Sequence, residues 1–202
     1  MSYYRTLPIS DDKNLRAYII GLAIGDGNLS NPNGRATRLR ITCDKKYPDL
    51  IKRISRSLQL LLPKNRIGVY DRKTCADVMV YSNQLENILG WKVGLGSKYT
   101  QNVSTPKWIF DNKDHRINYL KGLIETDGSI YLDRGYKMVI FSTINLQLAN
   151  EVKQLITSLG FTPKLYTIKP PINSKWNQKV KYHIRLSKDV QKFLDLVKPN
   201  KS

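Results

Sequence analysis

Leu120-Lys121-Gly122-Leu123-Ile124-Glu125-Thr126-Asp127-Gly128 has a counterpart earlier in the chain, Ile19-Ile20-Gly21-Leu22-Ala23-Ile24-Gly25-Asp26-Gly27. Each stretch reads as an apolar helix that runs into Asp-Gly. Ile117, Leu120 and Ile124 in one copy, and Leu15, Tyr18, Ile19 and Leu22 in the other, follow the helical stripe spacing that demands a buried partner. The small residues say what that partner is. Gly21 and Gly25 lie one turn apart, as do Gly122 and Thr126, and a glycine inside a helix costs about 1 kcal/mol against alanine. Two helices that tolerate this cost at the same face are expected to pack on each other, backbone against backbone. Gly27 and Gly128 are then expected to end the helices in a left-handed conformation, which sets Asp26 and Asp127 at adjacent helix C-termini.

That is a poor place for carboxylates, because helix C-termini carry partial negative charge and here two ends and two acids converge. Positive charge must sit between them, and a divalent cation with oxygen ligands is the simplest source. Mg²⁺ suits two carboxylates completed by waters and substrate phosphates.

Composition points to the substrate. Across 202 residues, 34 Lys and Arg stand against 16 Asp and Glu, a formal net charge of +18. Such an excess favours an anionic polymer. No run of about 18 apolar residues and no long Lys-rich amphipathic helix supports a membrane reading, so nucleic acid is the expected partner and no membrane is. Cys43 and Cys75 have no zinc-like spacing with His115 or His183 and read as reduced thiols. The N-terminal residues hold no apolar signal core. An intracellular setting is expected, either an organelle (mitochondrion or chloroplast) or a prokaryotic cytoplasm.

Asp26 and Asp127 stand 101 positions apart, and the same offset carries Leu39-Arg40-Ile41-Thr42 onto Ile140-Phe141-Ser142-Thr143, and Ile51 to Leu58 onto Val152 to Leu159. A duplicated unit follows. The first copy, 1–90, reads as a helix over 13–26, strands within 28–42 broken by the turn Asn31-Pro32-Asn33-Gly34, a helix over 48–61 stopped by Pro63, strands over 66–70 and 76–81, and a short helix over 83–89. Residues 91–112 lack periodicity and read as a connection anchored by Trp91 and Trp108. The second copy, 113–202, repeats the order with helices over 114–127, 145–159 and 188–197 and strands over 129–132, 136–143, 162–168 and 180–186. Pro170, Pro171, Asn173 and Ser174 make the loop of its last hairpin. The fold class is α+β, two αββαββα repeats with antiparallel sheets.

The second nonamer resembles the signature of the LAGLIDADG homing endonucleases at Leu120, Gly122, Leu123, Ile124, Asp127 and Gly128, with Glu125 a conservative acid. The first resembles it at Gly21, Leu22, Asp26 and Gly27. The resemblance covers nearly the whole chain and is that of the single-chain, two-motif type. It implies two sheets about a pseudo-twofold axis, forming a saddle for double-stranded DNA, and a monomer that cuts both strands of a long, nearly palindromic target to mobilise the intron that encodes it. Mg²⁺ is the implied metal, with Mn²⁺ or Ca²⁺ able to replace it for binding. The resemblance also implies Asp26 and Asp127 as catalytic metal ligands, the carbonyls of Gly25 and Thr126 as further ligands, and Lys188 beside a scissile phosphate. Asn83 stands where the first repeat would carry that lysine, so either the two strands are cut at unequal rates or another cation such as Lys45 or Lys46 substitutes in the first half. The polar residue at the end of the second strand falls on Cys43 and Ile144, neither able to orient water. A different class, a non-cleaving binder such as an intron RNA maturase or a DNA-binding regulator, fits the same scaffold.

Strand alternation supplies the groove-facing candidates. In the first half they are Asn28, Ser30, Arg35, Arg38, Arg40, Arg66, Tyr70, Arg72, Lys73 and Asp77. In the second they are Ser129, Tyr131, Asp133, Arg134, Tyr136, Lys137, Lys164, Tyr166, Lys175, Trp176, Lys179, Lys181, His183 and Arg185. Lys179, Lys181, His183 and Arg185 recur every second residue, so one strand face gathers basic groups that repel unless phosphates neutralise them. Arginines can donate in pairs to guanine, whereas lysines hold phosphates.

Overall fold

The computed structural model describes residues 7–171 and 178–200. Helix α1, Lys13–Asp26, begins where Asp12 Oδ1 accepts from the amides of Asn14 and Leu15 at 2.8 and 3.0 Å. This satisfies two of the amides that a helix start leaves unpaired. Asn112 does the same for α4, Lys113–Asp127, accepting from the Asp114 and His115 amides. Residues Ala17 to Ile24 of α1 are buried on every side. The helix is the centre of the molecule, not a surface stripe, and its main partner is α4.

Each central helix passes directly into a four-stranded antiparallel sheet. The first holds β1 (Gly27–Ser30), β2 (Arg38–Asp44), β3 (Ile67–Asp71) and β4 (Cys75–Tyr81) in the order β1-β2-β4-β3. The second repeats that order with β5 (Gly128–Asp133), β6 (Tyr136–Thr143), β7 (Lys164–Ile168) and β8 (Lys181–Leu186). Helix α2 (Pro48–Leu61) packs on β3 and β4 of the first sheet, with α3 (Leu85–Leu89) against α1. Helix α5 (Leu146–Ser158) packs on β6, β7 and β8 of the second, with α6 (Val190–Val197) against β6. Pro48 suits the first turn of α2, where its missing N–H costs nothing. The chain is thus an α+β protein of two pseudo-symmetric αββαββα repeats.

Strand alternation sorts the side chains. Leu39, Ile41, Val78 and Val80 in one sheet, and Val139, Phe141, Ile184 and Leu186 in the other, enter the core. Residues between them face away from the helices. The connection is pinned rather than loose: Trp91, Val103 and Ile109 are buried, Thr105 N donates to Glu151 Oε2 at 2.6 Å, and a 3₁₀ turn spans Lys107–Ile109.

Candidate active site and nucleic-acid interface

Backbone contact between α1 and α4 brings the acids together. A Cβ added at Gly122 would lie 2.6 Å from Leu22 N, one at Gly21 would lie 3.1 Å from Leu123 N, and one at Gly25 would lie 2.6 Å from Thr126 Cβ and 3.5 Å from Asp127 Cγ. No side chain larger than hydrogen fits at Gly25 without moving Thr126, whose Oγ1 donates to the Gly122 carbonyl at 2.9 Å. Asp26 and Asp127 are the last residues of their helices, and both are exposed to solvent.

The two glycines that follow are extended, not left-handed: Gly27 has φ −76° and ψ 141°, Gly128 φ −84° and ψ 152°. Their demand for glycine is steric. Each chain swings from helix straight into strand, so a Cβ at Gly27 would lie 2.5 Å from Ala23 Cα and one at Gly128 2.6 Å from Ile124 Cα.

The positive charge required between the helix ends is supplied by Lys98, from the connection. Its Nζ donates to the carbonyls of Ala23, Ile24 and Gly25 at 3.0, 2.6 and 2.5 Å. Burial pulls the ammonium down to about 8, while the Asp127 and Asp26 carboxylates pull it the other way. Helix end and cation are thus matched. Sequence reading missed Lys98 because the segment has no periodicity. The signal was present all the same, since two acids on two helix C-termini require a cation, and a lysine behind the tight bends at Gly94 and Gly96, both at positive φ, can provide one.

Each acid opens into its own cleft. Asp127 lines one of about 640 Å³ together with Lys98, Tyr99, Thr143, Lys179 and Lys181. Asp26 lines one of about 280 Å³ with Cys43, Asp44, Lys46 and Glu125. Lys188 is exposed, two residues before α6, and belongs to neither wall. Lys45 instead pairs with Asp71 at 3.4 Å. The sheet registers pair Gly27 with Ile41 and Gly128 with Phe141. The counterpart of Cys43 is therefore Thr143, not Ile144, because the turn before β2 is longer than its partner. A hydroxyl thus stands at the strand end on the Asp127 side.

The helix-free faces carry most of the groove candidates in cross-strand rows. Asn28, Arg40, Met79 and Gly68 form one row, and Ser30, Arg38 and Tyr81 the next. The second sheet aligns Ser129, Ile140, Arg185 and Lys164, then Ser142, His183 and Tyr166. Tyr131, Asp133 and Tyr136 flank these rows, Arg66 precedes β3, and Arg35, Lys73 and Arg134 occupy exposed turns. Asp133 holds Arg185 at 2.5 Å.

Two candidates differ from these rows, one in face and one in exposure. Lys137 is on the helix side of β6, where Nζ donates to Gln191 Oε1 of α6 at 2.9 Å. Adjacent polar residues Tyr136 and Lys137 left the strand parity open by one position. Asp77 does share the helix-free face, in the row Thr42-Asp77-Tyr70, but it is buried there, its carboxylate bonded to Thr42 Oγ1 and capped by Arg72. Lys175 and Trp176 lie outside the described residues, as does the loop at Asn173 and Ser174.

Among the described residues no three His, Cys, Asp or Glu side chains cluster as a metal cage. The donors present are two exposed carboxylates beside the Gly25 carbonyl, which already accepts from an ammonium. That oxygen set suits a hard cation whose remaining ligands are water or phosphate.

This paired-helix architecture defines a class. The family model described as a LAGLIDADG-like domain matches residues 114–198. The structure of I-DmoI in complex with DNA and Mn is similar over 92% of this chain and 96% of that one, at 23% identity and TM-score 0.66. The N-terminal LAGLIDADG domain of DUF199/WhiA is similar over 95% of this chain and 86% of that one, at 11% identity and TM-score 0.59. These two likenesses bear on the fold alone. A DNA polymerase of Thermococcus sp. (strain GE8) is 25% identical over 163 residues, which cover 76% of this chain but only 9% of the polymerase. The second half thus matches the LAGLIDADG-like domain model, and the whole chain shares the two-repeat fold of I-DmoI.

Proposed function

We propose that this chain is a metal-dependent, site-specific endonuclease that acts as a monomer on double-stranded DNA and cuts both strands of a long, nearly palindromic target. The observation that carries the reading is the delivery of Asp26 and Asp127, by two helices in backbone contact, to exposed positions between two basic antiparallel sheets. I-DmoI, similar in fold, is described with DNA and with Mn, Ca or Mg, which supports both the partner and the divalent ion.

In this reading each sheet lays its helix-free face in the major groove of one half-site. Arg38, Arg40 and Arg185 read base edges, while Lys164, Lys73 and the turn arginines hold phosphates. Asp26, Asp127 and the carbonyls of Gly25 and Thr126 would hold the ion. A divalent ion so bound supplies a more acidic water and positive charge at the leaving oxygen. Lys98 adds fixed positive charge beside both acids as negative charge builds on the phosphate, in a place prepared before the substrate arrives. The attacking water oxygen bonds to phosphorus and gives up a proton to bulk water, the opposite P–O bond breaks, and the leaving oxygen takes up a proton. Mobility of the intron that encodes the chain is the matching biological role.

The test starts by selecting bound duplexes from randomised DNA and assaying them with and without Mg²⁺ or Mn²⁺. Asp26→Asn and Asp127→Asn are each expected to abolish double-strand cutting while binding survives. Unchanged cutting in either variant removes that acid from the metal site. Tight binding with no nick in either ion moves the protein to a non-cleaving nucleic-acid binder, with intron RNA among its candidate ligands.

A further inference from the structure

The two clefts differ in charge. Three lysines, Lys98, Lys179 and Lys181, stand against one carboxylate on the Asp127 side. One lysine, Lys46, stands beside Asp26 and Asp44 on the other, and that lysine is already paired with Asp44 at 3.1 Å, while the Glu125 carboxylate at the back of this cleft is buried and paired with Arg53. The duplication does not explain this difference. Register places Cys75 opposite Asp44 in the first sheet, whereas the residues one step beyond the terminal Thr143–Tyr182 pair of the second are Ile144 and Lys181.

The basic cleft is also organised. Lys179 Nζ lies 3.8 Å from the centroid of the Tyr99 ring. Tyr99 follows Lys98 in the connection, so one short segment sets two of the three ammonium groups. A cation over an aromatic face is held without a counter-carboxylate, which leaves its charge directed at a ligand. A phosphodiester carries one negative charge and gains another during in-line attack, so the lysine cleft stabilises both forms. The Asp26 cleft repels the same phosphate until a cation enters.

We propose that Lys179 and Lys181 form a phosphate subsite that grips one scissile phosphate without metal and causes the strand over Asp127 to be cut first. The subsite is backed by the charge of Lys98, whose three N–H groups are held by α1 carbonyls, and Tyr99 is the positioning residue for Lys179. The inference rests on the nuclease reading only for the order of cutting. The subsite itself rests on the cleft.

The test uses the full chain, a selected duplex, and methylphosphonate, which is uncharged, at one scissile phosphate at a time. Affinity is measured in EDTA. Neutralising one of the two phosphates is expected to weaken binding about tenfold and the other less than about twofold. In the Lys179→Met/Lys181→Met variant the larger penalty should collapse, and Tyr99→Ala should reduce it in part. Equal penalties at the two phosphates, or a penalty that survives in the double variant, overturn the subsite. In Mg²⁺ the first nick should fall in the strand that bears the sensitive phosphate; a first nick in the other strand, or simultaneous cutting, overturns the order. Unequal EDTA binding with no nick at all leaves the subsite standing and ends the nuclease reading.

Discussion

Lys98 Nζ donates to the Gly25 carbonyl oxygen at 2.5 Å, and through that contact the connection between the repeats reaches the last turn of α1. The same ammonium interacts with both Asp127 and Asp26. Lys98→Met is expected to lower the single-turnover cleavage rate by roughly 10²-fold or more, the usual effect of removing one preorganised charge from a reacting centre. Binding in Ca²⁺ should survive. Lys98→Arg keeps the charge and should recover part of the rate; a variant without the charge that cuts at full rate would separate Lys98 from the chemistry.

Helix contact at Gly122 sets the spacing of the acids. A Cβ there meets Leu22 N and the Tyr18 carbonyl. Gly122→Val must push α1 and α4 apart and is expected to cost about 1–3 kcal/mol, as other overpacked cores do. Urea denaturation would measure that cost. Cleavage should fall further than folded fraction accounts for, because Asp127 moves relative to Asp26.

Glu125 belongs to the second nonamer but faces away from the acids' solvent side. Its carboxylate is fully buried and accepts from Tyr18 Oη at 2.5 Å, from Arg53 at 3.2 Å and from the Asn200 amide at 2.7 Å. Burial and the neighbouring carboxylate drive the Tyr18 phenol far above its usual range, so it remains a donor at any working pH. Three elements from both halves meet at one side chain. Glu125→Ala leaves their donors unmatched and is expected to cost about 3–5 kcal/mol, measured as a shift in urea midpoint with unchanged slope. Tyr18→Phe should cost only about 1–2 kcal/mol.

Arg40 and Lys164 separate base reading from phosphate holding. Arg40 lies in the cross-strand row nearest Gly27, and Lys164 ends the equivalent row near Gly128. Arg40→Ala is expected to cost about 1–3 kcal/mol of discrimination at one target position. Lys164→Ala should weaken all sequences alike and lower the salt slope by about 1. Binding selections repeated at several salt concentrations read both effects.

Helix positions were legible because local chemistry agrees with global packing. The helices read over 13–26, 48–61 and 114–127 match the structure within a residue, and the apolar stripe with small residues foretold which helices meet. Single positions inside strands were less legible. Lys137 differs from its neighbour Tyr136 by parity alone, and only packing against Gln191 decides it. Asp77 has the composition of a groove residue, yet burial against Thr42 and Arg72 follows from a turn whose shape no local spacing encodes. Gly27 and Gly128 were rightly marked as obligatory, but for crowding by Ala23 and Ile124 rather than for positive φ. Lys98 shows the limit most clearly, since its meaning arises only where a loop crosses a helix end 73 residues away.

Because the ammonium that interacts with both acids comes from the linker, neither repeat is a self-sufficient cassette. A chimaera that joins residues up to 90 of this chain to another protein's second repeat through a foreign spacer would inherit both acids and still lack Lys98 and Tyr99. Recombining repeats to obtain new target preferences therefore requires grafting the bridging segment with the cleft it furnishes.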